Sequence, residues 1–107
     1  KELGKNKSGL FVALDGSKII GFALGYIEKK PNRFKFQKLG QFFDLFVEEN
    51  YRNKGIGEKL AKALLAWYKK QDITYIDIFA YAKNPSTNLY KRLGFVDRYV
   101  GLRIKLK

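Results

Sequence analysis

Apolar and polar positions divide the chain into seven elements. The run GLFVAL at 9–14 predicts a short strand, and Asp15-Gly16 behind it is a hairpin signal. KIIGFALGYI at 18–27 predicts the antiparallel partner, with Gly21 and Gly25 marking a bulge or a close backbone approach. The basic stretch around Pro31, EKKPNRFKFQKLG, reads as an exposed loop. QFFDLFVEE at 41–49 predicts a third strand whose apolar centre implies cover on both faces.

From Ile56 the period changes. Ile56, Leu60, Ala63, Leu64 and Trp67 share one helical face, with Lys59, Lys62 and Lys69 elsewhere. TYIDIFAYA at 74–82 returns to strand character. Asn84-Pro85 then predicts an N-cap with proline at the first helical position, on a helix carrying Leu89 and Leu93 and ending at Gly94. Val96, Val100, Leu102, Ile104 and Leu106, mostly at period two, predict a closing strand. The order strand, strand, strand, helix, strand, helix, strand implies an antiparallel meander followed by a right-handed crossover that sets the third and fourth strands parallel. Residues 1–107 form one domain, without an internal repeat or a linker.

Composition narrows the chemistry. Cysteine and histidine are both absent, which excludes disulfides, a thiolate nucleophile, Cys/His zinc sites and triads built on histidine. No apolar run approaches the roughly 20 residues of a membrane span, and the first residues lack the apolar segment of a signal peptide. A cytoplasmic protein with no membrane partner and no metal is expected. The net charge of +12, from 22 Lys+Arg against 10 Asp+Glu, suits an anionic partner or simple solubilisation.

YRNKGIGEKL, 51–60, sets two glycines at the start of the first helix. Glycine weakens a helix by about 1 kcal/mol relative to alanine, so Gly55 and Gly57 call for a reason. A flexible helix entry is one. The other is a backbone that approaches an anion, since the first helical amides have no intrahelical acceptor and the helix dipole favours negative charge there. A P-loop would need Lys after its second glycine, where Glu58 stands, and a dinucleotide fingerprint would need a third glycine, where Leu60 stands.

What remains, Arg-x-x-Gly-x-Gly after an apolar strand in DLFVEENYRNKGIG, resembles the acetyl-CoA pyrophosphate loop of the GNAT superfamily of acyl-CoA N-acyltransferases. NPSTNLYKRLGF, one helix and one strand later, is similar to that superfamily's second signature. The resemblance runs from Gly9 onward, although residues 9–40 match only in strand order. It implies an α+β fold of three α/β/α layers around a mixed, mostly antiparallel sheet, here lacking the usual first strand and first two helices. The wall of the acceptor site would be lost with them.

The resemblance also implies site residues. The main chain of Leu45, Phe46 and Val47 would bind the pantetheine arm as a neighbouring strand would. The pyrophosphate would rest on the amides of Arg52, Asn53, Lys54, Gly55, Ile56, Gly57 and Glu58, although Arg52 and Lys54 could equally be ordinary surface cations. Tyr90 resembles the general acid that protonates the departing CoA thiolate. An unperturbed tyrosine, at a pKa of about 10, stays protonated where a thiol, at about 8.5, begins to ionise. A core aromatic is the alternative. Asn84 resembles a cofactor-contacting asparagine but lies six residues before Tyr90, where the usual spacing, one longer, selects Lys83. Its N-cap role is an equal alternative.

The general base is open among Asp44, Glu48, Glu49 and Tyr81, and a dedicated base is not required. Asp44 is the most suggestive, since burial in an apolar strand would raise its pKa. The implied reaction is direct attack of an amine on acetyl-CoA, with the oxyanion held by a backbone amide near Val47. The acceptor is a small-molecule or protein amine, and a homodimer is compatible with the sequence. Two other functions fit: an acyl-CoA-binding sensor without turnover, and, less well, a nucleic-acid binder stacking bases on Phe34, Phe36, Tyr75 and Tyr81. Core packing explains those aromatics more simply.

Overall fold

The turn Gly16-Ser17, with Gly16 at a φ of 64°, folds β1 (Lys7–Asp15) back onto β2 (Lys18–Pro31) in the computed structural model, which describes residues 7–31, 36–80 and 84–107. β2 pairs antiparallel with β3 (Phe36–Val47), and β3 pairs parallel with the short β4 (Ile76–Ile78), giving the order β1-β2-β3-β4. The mixed, mostly antiparallel α+β sheet expected from the sequence is therefore present. The basic stretch expected as a loop is largely strand. Glu28 pairs with Leu39 and Lys29 with Lys38, so the β2–β3 hairpin is longer than its apolar positions reveal. Solvated strand arms carry no apolar alternation, so the pattern gave no sign of them.

Helix α1 (Ile56–Lys70) connects β3 to β4 and covers one face of the sheet. Its buried residues are Leu60, Ala61, Leu64 and Tyr68, one position round from the face the sequence suggests. Tyr68 is the largest of those that are fully buried. Cβ atoms at Gly25 or Gly40 would collide with its ring or hydroxyl, so the close approach expected at Gly25 is the seat of a tyrosine. Its hydroxyl donates to the Gln41 carbonyl at 2.7 Å. Ala23, Ile27, Phe42, Leu60, Ala61, Leu64 and Tyr68 form the core.

The opposite face of the sheet is bare among the described residues. Phe43 is 65% and Phe46 43% exposed, so the described residues cover β3 on one face and not on both. The described helices supply one layer against the sheet, and a second helical layer is not among the described residues. The expected closing strand is also absent. Residues 95–107 carry no regular structure, and Val96, Val100, Leu102, Ile104 and Leu106 are all exposed. Period-two alternation describes a strand only where a neighbouring edge accepts its ladder, and no paired edge runs along this segment.

Candidate active site

β3 and β4 pair only from Gly40↔Ile76 to Phe42↔Ile78. At Phe42 the register of β3 against β2 slips: Gly25 faces Phe42 and Leu24 faces Asp44, leaving Phe43 as a bulge. The extra residue changes which main-chain groups point outward. The Glu48 amide donates to the Ile20 carbonyl at 2.8 Å, so the alternation of an antiparallel ladder directs Phe46 and Asp44 toward β2. Leu45 and Val47 therefore turn their N–H and C=O groups to the side where β4 has ended. Two side chains meet these groups: Asp44 Oδ1 accepts the Leu45 amide at 2.9 Å, and Arg52 Nε donates to the Val47 carbonyl at 2.8 Å.

Beyond this edge the chain makes a 3₁₀ turn (Glu49–Tyr51) and reverses through Asn53 (φ 63°) and Gly55 (φ 81°) into α1. Gly55 is the N-cap and offers no capping side chain. The first bond of the helix runs from Lys59 to the Gly55 carbonyl at 3.1 Å, which leaves the Ile56, Gly57 and Glu58 amides without intrahelical acceptors. Gly55 is required by its backbone, because a left-handed residue with a Cβ is strained. Gly57 differs. Its φ is ordinary, and a Cβ there would make only normal contacts with Val47, Leu45 and Leu89, so packing alone does not demand glycine.

These parts surround one cleft of about 450 Å3. Of the residues named from the sequence, Leu45, Phe46, Val47, Arg52, Asn53, Gly55, Ile56, Gly57, Glu58 and Asn84 line it. Lys54 does not, and its ammonium lies 5.8 Å from the Tyr51 ring centroid. Arg52 is exposed, with its guanidinium 6.0 Å from the Phe46 ring centroid. Tyr51, Pro85, Ser86, Leu89 and Arg92 also line the cleft and were not singled out in the sequence. The signal for Ser86 and Leu89 was the spacing of three along α2 (Thr87–Arg92), which places them on one side of the helix. Arg92 reaches Glu58 at 3.3 Å, tying the end of α2 to the start of α1. Hydrogen bonds from Lys62 first and then Arg92 hold the Glu58 carboxyl below its ordinary value, so its charge in the cleft is matched by two cations.

α2 begins two residues later than expected. Ser86, not Asn84, is its N-cap, while Asn84 Oδ1 accepts the Ser86 amide at 2.9 Å. An asparagine that bonds the main chain two residues on builds a turn of its own before the helix starts. At the other end Gly94 has a φ of 110°, and the Phe95 amide bonds back to the Tyr90 carbonyl at 3.1 Å, the expected glycine stop.

Tyr90 is buried, with its ring edge-on to Phe42 at 5.8 Å and to Phe95 at 6.1 Å. It is not a wall of the cleft, but its hydroxyl hydrogen-bonds with Ser86, which is. Burial pushes its pKa above the ordinary tyrosine value, the Ser86 hydrogen bond works in the opposite sense, and the charge of Asp44 adds to the rise. Asp44 itself is exposed, so the burial expected of it from the sequence is not found. Among the other base candidates, Glu48 pairs with Lys18 at 3.4 Å, and Glu49 is exposed in the 3₁₀ turn. Tyr81, Lys83 and Phe34 lie outside the described residues. Tyr75 is exposed on the surface and is not part of the core. No helix among the described residues is long and apolar enough to cross a membrane.

A model of the acetyltransferase (GNAT) family matches residues 1–95. The chain belongs to this family. An N-alpha-acetyltransferase of Sulfurisphaera tokodaii is 29% identical over 103 residues, covering 89% of this chain and 60% of that protein. An uncharacterized N-acetyltransferase of Methanocaldococcus jannaschii is 25% identical over 103 residues, covering 90% of this chain and 42% of that protein. The chain thus spans about half the length of these relatives. Among solved structures, the BH1408 protein of Bacillus halodurans superposes with a TM-score of 0.85 at 24% identity, over 97% of this chain and 68% of that one, and shares the GNAT fold.

Proposed function

We propose that this GNAT domain transfers an acetyl group from acetyl-CoA to a primary amine, and that the cleft between β3, the start of α1 and α2 receives the coenzyme. The observation that carries this reading is the conjunction of a strand edge that runs on past its neighbouring strand with a helix start whose amides are open to the same cleft. With the Leu45 amide bonded to Asp44 and the Val47 carbonyl to Arg52, the Leu45 carbonyl of this edge is left to accept from an amide-bearing arm. The amides of Ile56, Gly57 and Glu58 supply donors for a pyrophosphate. Arg52, beside them, adds positive charge, and Gly57 leaves the floor free of a side chain.

In this reading the amine nitrogen attacks the thioester carbon, a C–N bond forms and the C–S bond breaks. The Val47 amide, directed into the cleft, faces the charge that develops on the carbonyl oxygen. Ser86, which walls the cleft, gives its hydroxyl proton to the sulfur and takes the Tyr90 proton in its place, and Tyr90 is restored by the proton the amine releases. Burial suits Tyr90 to this task, because it holds the phenol protonated across and beyond the pH range in which a thiolate forms. Asp44, next to Leu45, faces the amine.

The test is thiol release from acetyl-CoA over a panel of amines, with parent and Tyr90→Phe compared. General acid catalysis contributes about 100-fold or more, so Tyr90→Phe should lose about that much in kcat while binding acetyl-CoA as the parent does. Since burial raises the Tyr90 pKa above its ordinary value, loss of its proton should not lower the parent's kcat between pH 7 and 9. Unchanged turnover in Tyr90→Phe removes Tyr90 from its role. Binding without thiol release from any amine would instead make the domain a sensor.

A further inference from the structure

The end of the sheet away from the cleft carries a rim of lysines. The register sets Lys7 opposite Ile27 and Lys29 opposite Lys38, and Ile27 and Lys29 are alternate residues of β2. All three lysines therefore lie on the face that α1 covers. Lys7 Nζ donates to Gln71 Oε1 at 2.8 Å, which brings the end of α1, with Lys69 and Lys70 in its last turn, to the same rim. All five lysines are exposed, and no acid among the described residues pairs with any of them. Glu28 turns to the other face, where it accepts from Gln41, and Asp72 is the one carboxylate that follows α1 at this end. The helix dipole accounts for cations at Lys69 and Lys70. It does not account for Lys29 and Lys38, since like charges directly across a ladder weaken it.

We propose that this rim binds the phosphate backbone of a nucleic acid without reading its sequence. The inference goes beyond acetyl transfer and stands without it. Lys38 and Leu45 are separated by roughly 20 Å of extended β3, so the rim is a site apart from the coenzyme cleft. Three features select a nucleic acid. A strand of closely spaced phosphates, each needing a cation, matches two lysines side by side better than the scattered carboxylates of a protein surface do. A lipid surface rewards apolar side chains that enter it, and among the described residues of the rim no large apolar side chain is exposed. Lysine ammonium groups act on phosphate as point charges, so contacts made by lysine alone favour no base and no sugar.

Fluorescence anisotropy with labelled oligouridine and oligothymidine, titrated between about 50 and 200 mM salt, tests this. The two oligonucleotides should bind alike, and at least tenfold more weakly at the higher salt. Each lysine that neutralises a phosphate on a single strand adds about 0.7 to the slope of log affinity against log salt. The double variant Lys29→Gln/Lys38→Gln should therefore lower that slope by about 1.4 and weaken binding at least threefold, with the acetyl-CoA Kd unchanged. Both positions are exposed, and relief of a like-charge pair should leave the thermal transition at or above the parent's. Lys105→Gln/Lys107→Gln removes the same charge away from the rim and should bind as the parent does. No binding to either oligonucleotide, an equal loss in the two double variants, or a weaker acetyl-CoA Kd in the rim variant overturns the proposal. So does tighter binding to phosphatidylserine vesicles than to the oligonucleotides.

Discussion

Gly55 and Gly57 stand two residues apart, and the structure gives them different reasons. Gly55 is held at a φ of 81° with open space where a Cβ would point, so its requirement is conformational. Gly55→Ala should cost about 1–2 kcal/mol, the penalty of a left-handed alanine, readable as a lower urea midpoint. Gly57 is under no such constraint, and the space it leaves belongs to the cleft. Sequence alone showed both glycines as a cost at a helix start but could not separate strain from vacancy, because a φ angle is not written in residue type. Asp44 was misread in the same way. An acidic residue among Phe42, Phe43, Leu45 and Phe46 looks buried, yet the bulge at Phe43 and the bare face leave it exposed.

At the scale of elements, the legible parts were those with a strong period or a steric stop: the hairpin at Gly16, the amphipathic α1 and the glycine end of α2. Two kinds of element escaped. The outer arms of the β2–β3 hairpin are solvated and so carry no alternation, whereas residues 95–107 carry alternation but meet no paired edge. The seat of Tyr68 over Gly25 and Gly40 also escaped, since it depends on how α1 is rotated against the sheet. That seat has a pH signature. Burial pushes the Tyr68 phenol far above its ordinary pKa, so above pH 10 the unfolded chain releases a proton that the folded one keeps, and stability falls. Tyr68→Phe should cost about 1 kcal/mol at pH 7 through the lost bond to Gln41. The gap between parent and variant should narrow as denaturation is repeated above pH 10. A gap that widens there would contradict the assignment of a buried neutral phenol.

For the whole molecule, the fold follows from one interruption. β4 is short, β3 continues past it, and a bulge turns the continuing edge outward beside the start of α1. That arrangement joins the two sequence signatures, DLFVEENYRNKGIG and NPSTNLYKRLGF, in one cleft, although they lie in separate elements, with α1 and β4 between them. The +12 charge favours an anionic ligand such as coenzyme A at long range without naming it. The claim that the cleft holds the coenzyme is tested most directly by calorimetric titration of acetyl-CoA into the parent and into Gly57→Trp, each checked for an intact thermal transition. The account predicts binding to the parent and a Kd at least tenfold weaker in the variant, whose indole would fill the floor of the cleft. Equal affinity in the two proteins would contradict it.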